Sequence, residues 1–179
     1  NQAGQREHVW QTSWGASTRL VGAVIMAHSD DEGLVLPPRL APIHVVIVPI
    51  WRSDEEKSRV CTAAARLAAE LRGDGLIVRL DDRENMKPGA KYYEWERKGV
   101  PLRLEIGPRD LDAGTVVAKL RISPLDEKGK AKRETLRLGG MGAQVHSLLD
   151  SFQKELFRRA LAMREAKTRS IDTWSDFQA

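Results

Sequence analysis

The chain has 179 residues, with 29 Lys or Arg against 25 Asp or Glu, a net charge of +4 and a pI near 9.4. Such a length suits one ordinary domain of about 100–200 residues with extra segments, and mixed-sign charge over a 41% hydrophobic composition predicts a folded, soluble protein rather than a disordered one. No apolar run approaches the roughly 18–20 residues of a membrane-spanning helix, residue 1 opens no charged-then-apolar leader, and the single Cys61 excludes an internal disulfide or a thiolate zinc site.

These features predict a reducing, cytoplasmic setting and no membrane partner. Cys61 falls on the apolar side of a predicted helix and reads as a packing residue. The positive charge is uneven. Residues 119–137 carry seven lysines and arginines against three acids, whereas 81–110 are balanced at seven each. Attraction to phosphate and discrimination between ligands therefore need not share one place.

In chain order, the run from Ser17 to His28 predicts a buried helix, with Gly22 at a close-packing point. Leu34-Val35-Leu36 reads as a brief strand, and Pro37, Pro38 and Pro42 mark a linker. IHVVIVPI at 43–50 is a nearly continuous β-branched run, the pattern of a strand covered on both faces. Ser53 or Asp54 can cap the next helix, where Val60, Ala64, Leu67 and Leu71 recur at helical spacing until Gly73 and Gly75. LIVRL at 76–80 is a second strand. DDRENMKPG is a loop, and Pro88 suits the first turn of a helix reaching Lys98-Gly99.

VPLRLEIG at 100–107 alternates, with Leu102, Leu104 and Ile106 on one face and Arg103 and Glu105 on the other. GPRD follows as a turn. TVVAKLRI and KRETLRL form a hairpin-like pair around DEKGKA, the basic 119–137 stretch reading as a solvated edge. After Gly139-Gly140 comes a long amphipathic helix with Val145, Leu148, Leu149, Phe152, Leu156, Phe157 and Leu161 on one face. From Thr168 a further unit begins, capped by Ser170 or Asp172. The order βαβαβββα argues an α/β fold, a mostly parallel sheet with helices against it and an antiparallel addition.

Residues 88–110 carry the densest chemistry. Tyr92 and Glu96 are four apart and share one helical face, while Lys91 and Trp95 share the adjacent one. Arg103 points away from the core leucines, and Arg109 and Asp110 sit just past the strand's carboxyl end, where open α/β sheets bind ligands. A guanidinium, a carboxylate and a flat ring could read unstacked guanine. The same residues could instead be a surface Glu96–Arg103 ion pair worth about 0–1 kcal/mol, with Tyr92 and Trp95 simply covering the sheet.

Four stretches, WQTSWGASTRLVGAVIMAH, DDEGLVLPPRLAPIHVVIVPI, DDRENMKPGAKYYEWERKGVPLRLEIGPRD and FRRALAMREAKTRSIDTWSDF, together resemble the carboxyl-terminal part of the prolyl-tRNA synthetase family, of the archaeal/eukaryotic-like type. The resemblance spans essentially the whole chain. It implies the end of a class II catalytic domain with motif 3 at 1–38, a linker at 39–42, an anticodon-binding domain at 43–150 with a mixed five-stranded sheet flanked by helices, and the start of a carboxyl-terminal domain at 151–179.

By that resemblance, Arg19 and Ser17 would contact ATP, and Trp14 and Gly15 would edge the proline pocket. Tyr92, Glu96, Arg103, Arg109 and Asp110 would read the two guanines of the proline anticodon. Tyr92 stands where the family often has phenylalanine, and Arg109 where lysine also occurs. The implied partners are tRNA(Pro), proline and ATP with Mg2+, in an enzyme that is a homodimer when whole. Zinc would belong only to a later part of the carboxyl-terminal domain, and no metal is expected in this chain. Motifs 1 and 2 are absent, so this polypeptide is expected to be inactive alone. The alternative is a free-standing tRNA anticodon-binding module.

Overall fold

The computed structural model describes residues 2, 4–123 and 132–178. The β-branched run forms strand β1 (Val45–Pro49), and all five of its residues are buried. Helix α2 (Asp54–Gly73) follows, capped by Ser53, whose hydroxyl accepts the Glu56 N–H. It leads to β2 (Val78–Leu80), which pairs parallel with β1. Helix α3 (Pro88–Arg97) starts on proline and crosses to β3 (Leu102–Ile106), parallel to β1 on its other side. A short helix α4 (Pro108–Asp112) then turns the chain into β4 (Thr115–Leu120), antiparallel to β3, and β5 (Glu134–Arg137) pairs antiparallel with β4. The sheet order is β2-β1-β3-β4-β5. This is the mixed five-stranded α/β sheet that the sequence predicts.

Each face of the sheet has its own cover. Val45, Ile47, Leu102, Leu104 and Ile106 pack against Val60, Leu67 and Leu71 of α2, and against Met141, Val145 and Leu149 of the long helix α5 (Met141–Lys167). Burying each such Val or Leu contributes about 1.5–3 kcal/mol. On the opposite face Val46 and Val48 meet Trp95 and Val100, with Tyr92 at the margin. A third cluster joins Val35 to Phe152 and Leu156.

Two glycines lock the end of α3. Gly99 has φ +72°, and a Cβ there would lie 2.8 Å from the Leu34 carbonyl oxygen; at Gly33 it would lie 2.7 Å from the Arg97 Cα. The Leu34 N–H donates to the Arg97 carbonyl at 3.0 Å, and Arg121 Nε donates to the carbonyls of Leu34 and Glu96. The helix that carries Tyr92 and Glu96 is thereby fixed to the loop before β1.

Several expectations need correction. The first helix, α1 (Arg19–His28), is not buried, and Leu20, Val21 and Met26 are exposed. Residues 34–36 join no ladder, although Val35 is fully buried by packing. The GPRD turn is the helix α4, because Pro108 suits a first helical turn and the Asp110 carboxylate holds the Gly107 N–H. Phe157 leaves the apolar face of α5 and is 67% exposed. The last helix, α6 (Trp174–Gln178), is capped by Thr173, whose hydroxyl accepts the Asp176 N–H, rather than by Ser170 or Asp172. The turn of the basic hairpin, 124–131, lies outside the described residues.

Candidate nucleic-acid interface

On α3 the four-residue spacing sends Tyr92 and Glu96 toward β3 and β4, while Lys91 and Trp95 turn inward and are buried. Arg103 and Glu105 do lie opposite the core leucines, but they are not in solvent. Arg103 is only 5% exposed because α3 roofs that face. Its guanidinium lies over the Tyr92 ring, 3.9 Å from the centroid. Nε and Nη2 donate to Glu105 Oε1 at 3.0 and 2.8 Å, and Nη1 donates to Glu96 Oε1. The Tyr92 hydroxyl donates to Glu105 Oε2 at 3.1 Å, and Arg133 approaches the same oxygen at 3.5 Å. Lys119 Nζ donates to Glu96 Oε1 at 2.6 Å.

This arrangement settles protonation states. Burial alone would push the Glu96 carboxyl up, but hydrogen bonds from Lys119 and Arg103 outweigh it and hold the pKa below the usual carboxylate value. Burial, reinforced by the Glu105 carboxylate, pushes the Tyr92 phenol well up, so it stays a neutral donor. Among the described residues, both hydrogen bonds to the Glu96 carboxylate end on Oε1. Among the described residues Oε2 has no donor, so an ionised carboxylate oxygen with open lone pairs stands at a half-buried rim.

Arg109 and Asp110 belong to a different place. The Asp110 Oδ2 accepts the Gly107 N–H at 2.8 Å, while the Arg109 side chain is exposed. Together with Ile50, Trp51, Arg52 and Glu56 they line a cavity of about 330 Å³ beyond the carboxyl ends of β1 and β3. The connection after β1 leads toward β2 and the one after β3 leads toward β4, on opposite sides, and such a divergence is where open α/β sheets place their ligands. The five residues predicted as one set thus divide, with Tyr92, Glu96 and Arg103 in a buried polar network and Arg109 and Asp110 at the rim. Glu96 and Arg103 do pair, but within a largely buried network rather than as the surface ion pair of the alternative reading.

Sequence reasoning assigned no site role to Lys119, Glu105, Arg133 or Trp51, although Glu105 falls on the Arg103 face and Lys119 and Arg133 in the basic stretch. Lys119 pairs directly with Arg103 across the β3–β4 ladder, so correct register would have found it. Trp51, two residues past the end of β1, is recognisable only as an aromatic at a strand's carboxyl end. Residues 14–19 form no enclosure with the described residues. Trp14 is 94% exposed, Gly15, Ser17 and Arg19 are exposed, and the Ser17 hydroxyl accepts the Arg19 N–H at 3.4 Å. No group of three or more metal-ligating side chains occurs among the described residues. Nor is any helix long and apolar enough to cross a membrane.

The domain is a mixed five-stranded sheet covered by helices, with a fixed carboxylate beside an aromatic ring on α3 and a separate cavity at the carboxyl ends of β1 and β3. Residues 44–139 match the anticodon binding domain family, and the chain belongs to that family. Across 172 residues it is 48% identical to the proline–tRNA ligase of Roseiflexus castenholzii, covering 96% of this chain and 35% of that protein. It is 45% identical over 178 residues to the proline–tRNA ligase of Flavobacterium johnsoniae, and 43% identical over 178 residues to the chloroplastic/mitochondrial proline–tRNA ligase of Arabidopsis thaliana. Those two alignments each cover 99% of this chain, and 35% and 33% of the relatives. The chain therefore spans about a third of the length of the curated relatives it matches.

Proposed function

We propose that the chain is the anticodon-reading part of a proline–tRNA ligase, an enzyme that uses ATP with Mg2+ to activate proline and transfers it to tRNA(Pro) in the cytoplasm. Matches to ligases over nearly the whole chain support this reading. Residues 43–150 are the anticodon-binding domain, 1–38 the end of a catalytic domain, 39–42 the linker and 151–179 the start of a further domain. Arg19 and Ser17 serve the nucleotide, and Trp14 and Gly15 the proline pocket, with the remaining walls supplied by other parts of the ligase. The whole enzyme is a homodimer.

The observation that carries the anticodon reading is the open Glu96 Oε2. Guanine presents N1–H and N2–H donors on its Watson–Crick edge, and a fixed carboxylate oxygen accepts from them. Adenine offers an acceptor at N1 and meets repulsion there. Tyr92, backed on one face by Arg103, supplies a stacking surface worth about 1–3 kcal/mol per base. All three guanidinium nitrogens of Arg103 are committed to carboxylates, so its role is to hold Glu96 in place rather than to touch the base. Arg109 and Asp110 take the neighbouring base in the rim cavity.

The test is binding of anticodon stem-loop RNAs by fluorescence anisotropy. The proline stem-loop should bind more tightly than versions with either anticodon guanine changed to adenine. Glu96→Gln should shrink that preference, by an amount equivalent to about 1–3 kcal/mol, with little change in binding of the adenine versions. Equal affinity of the unaltered protein for all these RNAs would remove the proposal.

A further inference from the structure

A second cavity, of about 410 Å³, opens between the end of β1 and the segment that leads into α3, lined by Trp51, Arg83, Met86, Lys87, Pro88 and Lys91 among others. Its charges are unequally satisfied. Arg83 is held by both oxygens of Asp81 and by Glu94, and Glu84 by Lys57. The exposed Lys87 side chain has no partner among the described residues. Lys91 is 2% exposed, and its ammonium makes one hydrogen bond, to the Asp81 carbonyl at 3.0 Å, with the Asp81 carboxylate farther off at 3.8 Å. An ammonium carries three donors, so two remain.

The same ammonium sits 5.4 Å from the centre of the Trp51 ring. Trp51 is half-buried and belongs to the walls of both this cavity and the one that holds Arg109 and Asp110. A flat ring beside one ammonium with no partner among the described residues, Lys87, and a second with donors to spare, Lys91, is the chemistry of a nucleotide site, with base against ring and phosphate against cation.

We propose that this cavity receives one nucleotide of the anticodon loop adjacent to the bases read by Glu96 and the rim cavity, stacking it on Trp51 and holding its phosphate with Lys87 and Lys91. The inference rests on the anticodon-reading function proposed above. The shared wall at Trp51 places the two cavities side by side, so a strand that enters one is positioned to continue into the other. Selection here is by ring and charge, so it is tolerant of base identity. Burial pulls the Lys91 pKa down although Asp81 pushes back, and a bound phosphate would push it up further.

Salt titrations of stem-loop binding test this with Lys87→Ala in the full chain. The expected result is a roughly 3–10-fold loss of affinity at low salt and a slope of log affinity against log salt reduced by about 0.7, the same for the guanine and adenine stem-loops. Glu96→Gln should leave the slope alone and change only the preference. 5-Iodouridine placed at each loop position in turn should give one photo-crosslink to Trp51 or Met86. An unchanged slope and affinity for Lys87→Ala, with crosslinks elsewhere, overturns the proposal while leaving the guanine reading intact. Loss of guanine preference in the unaltered protein defeats that reading and this one with it. Uridine monophosphate is the comparison ligand. If it binds in a Lys87-dependent way while the stem-loop is insensitive to Lys87, the cavity is a free-nucleotide site and the assignment to RNA falls.

Discussion

Arg103 holds Glu96 by the same carboxylate oxygen that receives Lys119, and so leaves the second oxygen of Glu96 open at the rim. Arg103 has little solvent of its own, and its remaining nitrogens clasp Glu105. Replacing it with a nonpolar chain of similar length takes the shared cation from two largely buried carboxylates, leaving Glu96 only Lys119 and Glu105 only Tyr92 and the exposed Arg133. Arg103→Met is therefore expected to lower folding stability by about 3–5 kcal/mol, the usual cost of breaking a buried pair from one side. It should also blur guanine preference, because Glu96 loses its anchor. Urea unfolding reads the first effect and stem-loop anisotropy the second. Undiminished stability in Arg103→Met would show that the buried network is not a structural anchor.

Asp81 makes a pH prediction with a definite sign. It is 2% exposed, and burial alone would push its carboxyl up. Hydrogen bonds from Arg83 and Trp95 win, and its pKa falls from 3.8 to about 2. A folded-state pKa below the unfolded value means stability that is complete above about pH 4 and drains away as pH falls toward 2, amounting to about 2 kcal/mol. Acid titration of the unfolding free energy should show a decline in that window. Asp81→Asn should be less stable at neutral pH and should flatten the decline, and a curve unchanged by the substitution would contradict this account.

What the sequence made legible follows from how local each feature is. The β-branched run at β1, the helical spacing in α2 and the proline start of α3 are written in adjacent residues, and all three appear in the structure. Alternation in β3 correctly separated Arg103 from Leu102 and Leu104. It could not reveal that α3 closes over Arg103, because that depends on a helix packing across the sheet rather than on the strand's own pattern. The separation of Arg109 and Asp110 from Glu96 was hidden for a related reason. The remainder of β3 after Arg103, Leu104 to Ile106, lies between the two groups, and α4 turns the latter pair toward Trp51. Phe157 shows the limit of periodicity. Its neighbour Leu156 is buried against Val35, so Phe157 loses cover by lying about 100° around the helix from it, off the packed stripe.

Two glycines predict opposite outcomes for the same substitution. Gly99→Ala places a side chain in the left-handed region at φ +72° and drives its Cβ against the Leu34 backbone, which has nowhere to move. Left-handed strain alone costs about 1–2 kcal/mol, and the clash adds to it by pushing α3 away from the 30–35 loop. At Gly142 the Cβ would meet the Asp74 carboxylate, at 1.8 Å from Oδ2. That group is the free end of a short side chain and can rotate aside. Thermal melting should therefore find Gly99→Ala severely destabilised and Gly142→Ala within about 1 kcal/mol of the parent. The reverse ranking would mean that the α3–loop junction is looser than its geometry implies.

The catalytic half of the proposed ligase sets the last expectation. Trp14, Ser17 and Arg19 belong to an exposed stretch and helix that enclose no cavity with the described residues, and the apolar Leu20, Val21 and Met26 beside them are exposed as well. A triphosphate is held for reaction by several groups converging on it in a site shielded from water. One exposed guanidinium does not provide that, since a surface ion pair contributes about 0–1 kcal/mol. The 179-residue polypeptide is therefore expected to bind the proline anticodon stem-loop yet catalyse no proline-dependent exchange of pyrophosphate into ATP. Radiolabelled exchange at saturating proline and ATP measures this directly. Exchange above the no-proline blank that disappears in Arg19→Ala would mean that residues 14–19 assemble a working site in solution, and would require a different arrangement of the amino-terminal segment.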